Sequence, residues 1–185
     1  MTDAAPPYLD VAANRRTSSW TRRERAGRLL WALAGPVFAL SPRPAWGWRR
    51  ALLRLFGARI GQGVHVYPSV RIAIPWMLEI GDEAAVGDAA ILYSLGPLRI
   101  GARSTVSQGA HLCAGTHDLG RPDRPLVRAP IRIGRDAWVC ADAFVGPGVN
   151  LGDGSILGAR AVAVRDIPAR TTAAGNPARI VRRHM

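Results

Sequence analysis

The chain contains no lysine. All 25 of its basic residues are arginine, against 13 acidic residues, and the net charge is +12 over 185 residues. Such an excess suits nucleic acid, an anionic membrane surface or a phosphorylated ligand. The arginines are densest before residue 60, and no RNP, zinc-finger or helix-turn-helix pattern accompanies them, so nucleic acid is not an expected partner. Simple solvated surface charge accounts for them equally well. Cysteine is scarce: Cys113 and Cys140 form no CxxC pair, which argues against a disulfide framework or a structural zinc site. Both read as small buried hydrophobes. Long apolar runs are also missing. LLWALAGPVFAL, residues 29–40, is too short for the roughly 20 residues of a membrane-spanning helix, and Pro36 is expected to kink or end it. The basic segments TRRERAGR and RPAWGWRR flank that run and allow a weak peripheral membrane contact. MTDAAPPYLD carries acid where a secretory signal carries base, so a cytoplasmic location is expected, at or near the inner face of the membrane.

What the sequence has in abundance is glycine (20), proline (14) and a repeat. From Ile133 it divides into sixes: IGRDAW, VCADAF, VGPGVN, LGDGSI, LGARAV, AVRDIP. The same period runs earlier, from Ile60 (IGQGVH, VYPSVR), Ile80 (IGDEAA, VGDAAI) and Ile100 (IGARST, VSQGAH, LCAGTH). Two blocks, IAIPWMLE (72–79) and LYSLGPLR (92–99), are each lengthened by two residues. A helix repeats every three to four residues and a strand every two. A period of six fits a short strand and a turn, three to a coil, with the leading Ile, Val or Leu stacking inward on its equivalent in the next coil. Small residues at the fifth position also point in, and Gly and Asp serve the corners. The fold class is therefore an all-β solenoid, a parallel β-helix of about five coils with a triangular section.

Four segments follow: an arm over 1–20, a helical segment over 21–59, the β-helix over 60–168, and a closing segment over 169–185. The arm reads as extended or loosely ordered. In the helical segment Thr21 and Glu24 form a capping box, and Leu29, Leu30, Leu33 and Val37 share one face. After LCAGTH the repeat stops, and DLGRPDRPLVRAPIR fills 118–132 before it resumes at Ile133. An excursion of that length from a regular solenoid is a surface or binding loop.

GWRRALLRLFGARIG, SQGAHLCAGTHD, AFVGPGVNLGDGSILGAR and AAGNPARIVRR together resemble the hexapeptide-repeat, left-handed β-helix acetyltransferases. Within these the resemblance is to the maltose, galactoside and nodulation branch and, closer, to the colanic acid biosynthesis acetyltransferase type, over about residues 18–183. It implies a left-handed coil, an acetyl-CoA-dependent O-acetyltransferase, a sugar or glycan acceptor, and a homotrimer with active sites at subunit interfaces. His117, on the last corner before the excursion, takes the family's role of general base. The backbone N–H of Ala141 takes that of oxyanion donor. Trp138 corresponds to the aromatic beside the pantetheine arm, and Ala159 to a backbone contact with it. Arg165, Arg179 and Arg182 correspond to residues near the nucleotide phosphates, with Asn176 and Pro177 shaping that end of the groove. Ser94 stands where relatives often carry an acceptor-binding Asn. Trp76 either stacks on a sugar or covers a coil edge, and Asp118 either orients an imidazole or the sugar, or caps a turn.

Two alternatives share the fold. One is a zinc-dependent lyase or hydrolase similar to γ-class carbonic anhydrase, which takes ligands from histidines five apart and from an earlier coil. Here His111 and His117 are six apart, which points them around the coil from each other, so no metal is expected. The other is a non-catalytic assembly protein.

Overall fold

The computed structural model describes residues 9–16 and 20–185. Each leading residue of the repeat is the inward position of a short strand, and equivalent leads stack in register. Along sheet 1, Ile60 pairs with Ile80, Ile80 with Ile100, Ile100 with Ile133 and Ile133 with Leu151. A single bridge carries the column on to Ile167. Sheet 2 stacks Val66, Val86, Val106, Val139, Leu157 and Ala173. Sheet 3 stacks Ile72, Leu92, Leu112, Val145 and Ala163. The result is a three-sided solenoid of five full coils with a sixth begun. The three columns are its buried core. Each such side chain contributes about 1.5–3 kcal/mol on burial, and a coil collects that only against its neighbours.

The fifth positions point inward as expected: Ala84, Ser104, Ala137 and Ser155 are all buried. The corners are less restricted than expected. The fourth residue of the block takes a left-handed backbone, by Gly at 63, 109, 148 and 154, but also by Ala89, Arg103 and Arg160. Ladder hydrogen bonds on both sides hold these corners in a conformation that a side chain disfavours.

The excursion leaves the corner between sheets 3 and 1. It is a hairpin: Thr116–His117 pairs antiparallel with Leu126–Val127. The arm also departs from its reading, because Val11–Arg16 is helical (α1). Asp10 caps it by accepting from the Ala13 N–H at 2.8 Å, and the Asp10 N–H donates to the hairpin carbonyl of Pro122 at 2.9 Å.

Helix α2 (Arg22–Ala39) begins with the expected capping box: Glu24 N–H donates to Thr21 Oγ1 and Thr21 N–H to Glu24 Oε2. It passes through Pro36 and ends only at Ala39, since a proline one turn from the end removes a single ladder bond. The face that packs inward is not the leucine face. Trp31 and Phe38 are buried, whereas Leu29, Leu33 and Val37 are each more than half exposed. Gly27 lies on the packed side, where an added Cβ would stand 2.9 Å from the Trp76 ring. Trp76 is thus a wedge between α2 and the coil edge, which leaves the sugar-stacking role without support.

Helix α3 (Trp46–Leu55) accounts for part of the arginine density. Arg49 is fully buried and donates to Val66 O (2.6 Å), Pro42 O (2.8 Å), Arg43 O (2.6 Å) and Ser41 Oγ (2.8 Å). Arg50 donates to Val64 O and Arg54 to Ile60 O and Gly61 O. With Trp31 Nε1 on Ile72 O, these side chains satisfy carbonyls of the first coil that have no coil beneath them.

Candidate active site

His117 ends the first strand of the hairpin, exposed, with Nδ1 2.7 Å from the carbonyl oxygen of Arg124. A carbonyl only accepts, so Nδ1 is the donor here, and in the neutral ring the lone pair therefore sits on Nε2. That is the tautomer a general base needs. The same carbonyl accepts from Asn14 Nδ2 at 2.9 Å, and Asn14 Nδ2 also donates to Asp123 O at 2.6 Å. Helix α1 therefore clamps the hairpin from outside.

His117 lines a cleft of about 400 Å³, with Tyr93 and Leu95 from the coil, Asp123 from the hairpin, and Asn14, Arg15, Trp20 and Arg28 from the N-terminal segment. Of the residues assigned to the acceptor, Asp118 lies beside the base but caps a turn. Its Oδ1 accepts from Gly120 N–H at 2.9 Å, and its own N–H donates to Pro125 O. Ser94 does not reach the cleft. It is fully buried, accepting from Ile74 N–H at 3.0 Å and donating to Ile74 O at 2.9 Å. The strand Ile91–Tyr93 alternates, so Leu92 points in and Tyr93 out, and Ser94 then turns in again. Tyr93, not Ser94, lines the cleft.

The other half of the assigned set stands elsewhere. Ala141 and Ala159 are corner residues between sheets 2 and 3 on adjacent coils, joined by Arg160 N–H on Ala141 O at 2.9 Å. Trp138, 49% exposed, lies on the outer face of sheet 2 between Thr105 and Ile156, with Nε1 on Ser107 Oγ at 2.8 Å. The closing segment doubles back: Arg179–Arg183 pairs antiparallel with Thr171–Ala174, which sets Arg182 beside Thr172 and Arg179 beside Ala174. Asn176 and Pro177 make the intervening turn through a cis peptide, over the same corner column as Ala159, where Gly175 O accepts from Val162 N–H. Trp138, Ala141, Ala159, Asn176, Pro177, Arg179 and Arg182 thus follow sheet 2 and its corner. Arg165 follows the Val162–Ala163 strand, at the far end of sheet 3, which is also the end that carries His117. Within one chain His117 and the Ala141 N–H occupy opposite ends of sheet 3.

His111 does not converge with His117. It projects from sheet 3 between Tyr93 and Phe144, both edge-on, at ring separations of 6.3 and 5.3 Å. Burial and the nearby Arg71 guanidinium push its pKa down, which disfavours the charged ring. His65 stacks on Trp46 at 4.5 Å, on sheet 2 of the first coil. Among the described residues no three His, Cys, Asp or Glu side chains gather as a metal site requires. Burial pushes the Cys140 thiol up, away from the reactive thiolate.

No protein-family model matches the chain. Individual proteins do. The Escherichia coli K12 colanic acid biosynthesis acetyltransferase WcaF is 46% identical over 155 residues, 84% of this chain and 85% of that one. Galactoside O-acetyltransferase of the same organism is 26% identical over 72% of this chain and 68% of its own. A maltose O-acetyltransferase from Clostridium difficile 630 superposes with a TM-score of 0.82 at 20% identity, over 89% of this chain and 90% of that one. A hexapeptide-repeat acetyltransferase from Vibrio cholerae, solved with acetyl-CoA, also reaches 0.82, at 23% identity over 91% and 92%. The solenoid is therefore that of the hexapeptide-repeat acyltransferases. Within them the chain belongs to the left-handed β-helix acetyltransferase family, of the colanic acid biosynthesis type.

Proposed function

We propose that the chain transfers acetyl from acetyl-CoA to a sugar hydroxyl, in the biosynthesis of an exopolysaccharide or a glycosylated metabolite. The observation that carries this reading is the His117 imidazole, its Nδ1 held 2.7 Å from Arg124 O beside a cleft, which assigns the lone pair of the neutral ring to Nε2. Nε2 takes the proton of the acceptor hydroxyl as its oxygen attacks the thioester carbonyl carbon. Charge developing on the carbonyl oxygen meets the Ala141 N–H. Collapse breaks the carbon–sulfur bond, and the imidazolium returns its proton to the leaving thiolate, giving an acetyl ester and CoA. No acyl-enzyme is needed. Trp138, Ala159, Asn176 and Pro177 would lie along the pantetheine arm, and the exposed guanidiniums of Arg179 and Arg182 suit the cofactor's phosphates.

The separation of His117 from Ala141 supports a homotrimer in which one subunit's base faces a neighbour's corner column. Arg165, at the His117 end, would then meet the cofactor phosphates from the subunit that supplies the base. Tyr93 takes over the acceptor contact assigned to Ser94. The exposed stripe Leu29, Leu33 and Val37, with Arg22, Arg23 and Arg25 at its start, supports a peripheral contact with an anionic membrane surface. Among the described residues no helix is long and apolar enough to cross a membrane.

The test is acetyl-CoA turnover over a panel of sugars, comparing the wild type with His117→Ala. Loss of at least about a hundredfold in kcat is expected for removal of a general base. An unchanged rate on every acceptor would remove His117 from the mechanism. A wild type that neither binds acetyl-CoA nor transfers acetyl would refute the activity.

A further inference from the structure

We propose that the cleft beside His117 is a subsite for the anionic group of a charged glycan acceptor, a uronate carboxylate or a sugar phosphate, bound by Arg15 and Arg28. The inference rests on the acetyltransferase reading but names a property of the acceptor which that reading leaves open.

The arginines around the hairpin sort by what they already hold. Arg128 is spent on Glu24 at 2.8 Å. Arg121 makes two bonds of 2.9 Å to Asp123, and this occupies the carboxylate on the cleft wall and lowers its pKa. Arg15 and Arg28 also line the cleft, both exposed, and no carboxylate pairs with either among the described residues. They come from different helices, α1 and α2, and converge on the wall that faces His117.

Arg28 is positioned as well as free. Its guanidinium lies 4.3 Å over the Trp20 ring, and that of Arg128 lies 4.4 Å over the same ring. Two guanidiniums that close to one ring centre take opposite faces. Stacking holds the Arg28 guanidinium against the ring and uses none of its N–H groups, and such a fork can meet a carboxylate or phosphate with two parallel bonds. It also covers both faces of Trp20, so a sugar ring cannot stack there. Tyr93, 41% exposed on the coil side, remains for the apolar face of a pyranose. The cleft therefore offers an aromatic platform, the His117 imidazole and two guanidiniums with no carboxylate partner among the described residues. A neutral acceptor would leave those charges without a counterpart, whereas an anionic one supplies it.

The experiment uses the full chain with saturating CoA, so that anion binding by Arg179 and Arg182 is already satisfied. Equilibrium binding of methyl glucoside, methyl glucuronide and glucose 1-phosphate is followed by tryptophan fluorescence or calorimetry. Acetylation of the same three is measured in parallel with acetyl-CoA. At least one anionic probe should bind about tenfold more tightly than methyl glucoside, and the preference should shrink as salt shortens the screening length. The glucuronide and phosphate arms distinguish the two anions. Arg15→Ala and Arg28→Ala should each bring the anionic-to-neutral ratio toward one. Arg23→Ala, an exposed arginine of α2 outside the cleft, should keep the ratio. Equal binding of all three probes by the wild type overturns the proposal, as does a ratio that Arg15→Ala and Arg28→Ala leave intact or that Arg23→Ala lowers as far. Because binding is read without turnover, the subsite stands or falls independently of acetyl transfer.

Discussion

The carbonyl oxygen of Arg124 holds Nδ1 of His117 at 2.7 Å, and Asn14 reaches the same oxygen from helix α1 at 2.9 Å. Orientation of the His117 ring thus depends on a segment more than a hundred residues away in sequence. Asn14→Ala should lower kcat by about tenfold, since a loosened hairpin samples unproductive imidazole positions. The KM for acetyl-CoA should not move. Steady-state kinetics of the variant check both, and an unchanged kcat would reduce the clamp to a structural contact.

The separation of His117 from the Ala141 corner gives a complementation test. His117→Ala and an Arg179→Ala/Arg182→Ala double variant should each be impaired alone. Co-expressed with different tags and purified as mixed trimers, they should recover activity approaching about a third of wild type, since a cyclic trimer holding both chains pairs two intact halves at one of its three interfaces. No recovery in verified mixed trimers would place both halves in one subunit.

Arg49 is a buried cation with no carboxylate partner among the described residues, held by three carbonyls, one hydroxyl and the Trp46 ring at 4.6 Å. Arg49→Met keeps volume but leaves those acceptors unsatisfied. Denaturant unfolding should show a loss of about 3–5 kcal/mol, as when one partner of a buried charged network is removed. A loss under 1 kcal/mol would mean that water replaces the guanidinium.

Glu24 is held at about 2, below its ordinary 4.5, chiefly by the Arg128 hydrogen bond and then by the Thr21 N–H. A depressed carboxyl stabilises the fold fully above its unfolded pKa, and that contribution fades as pH falls through the folded value. Glu24→Gln retains a capping box but loses the ion pair. The difference in Tm between wild type and variant should be constant above about pH 5.5 and shrink between 4.5 and about 2. A difference independent of pH would assign the effect to packing.

The solenoid was legible because its period is enforced at every coil: the columns headed by Ile60, Val66 and Ile72 are the sequence leads themselves. The lengthened blocks could be counted for the same reason. Sequence reading failed where tertiary contacts decide. The sequence puts the leucines of α2 on one face without saying which face packs; Gly27 and Trp31 pack, because Trp76 needs the space that a glycine leaves. Ser94 read as a site residue, although the alternation of Ile91–Tyr93 could have directed attention to Tyr93. Nothing local marks Asn14, Arg15, Trp20 or Arg28 as neighbours of His117, since only the docking of α1 and α2 on the hairpin brings them together.

The arginines of α3 that cap the first coil and the antiparallel strand Arg179–Arg183 at the last are two stoppers on one rod. A stack of parallel coils with open ends would template another copy end to end and grow into a filament. With both ends closed, copies of this chain are left with their flanks as surfaces for meeting one another.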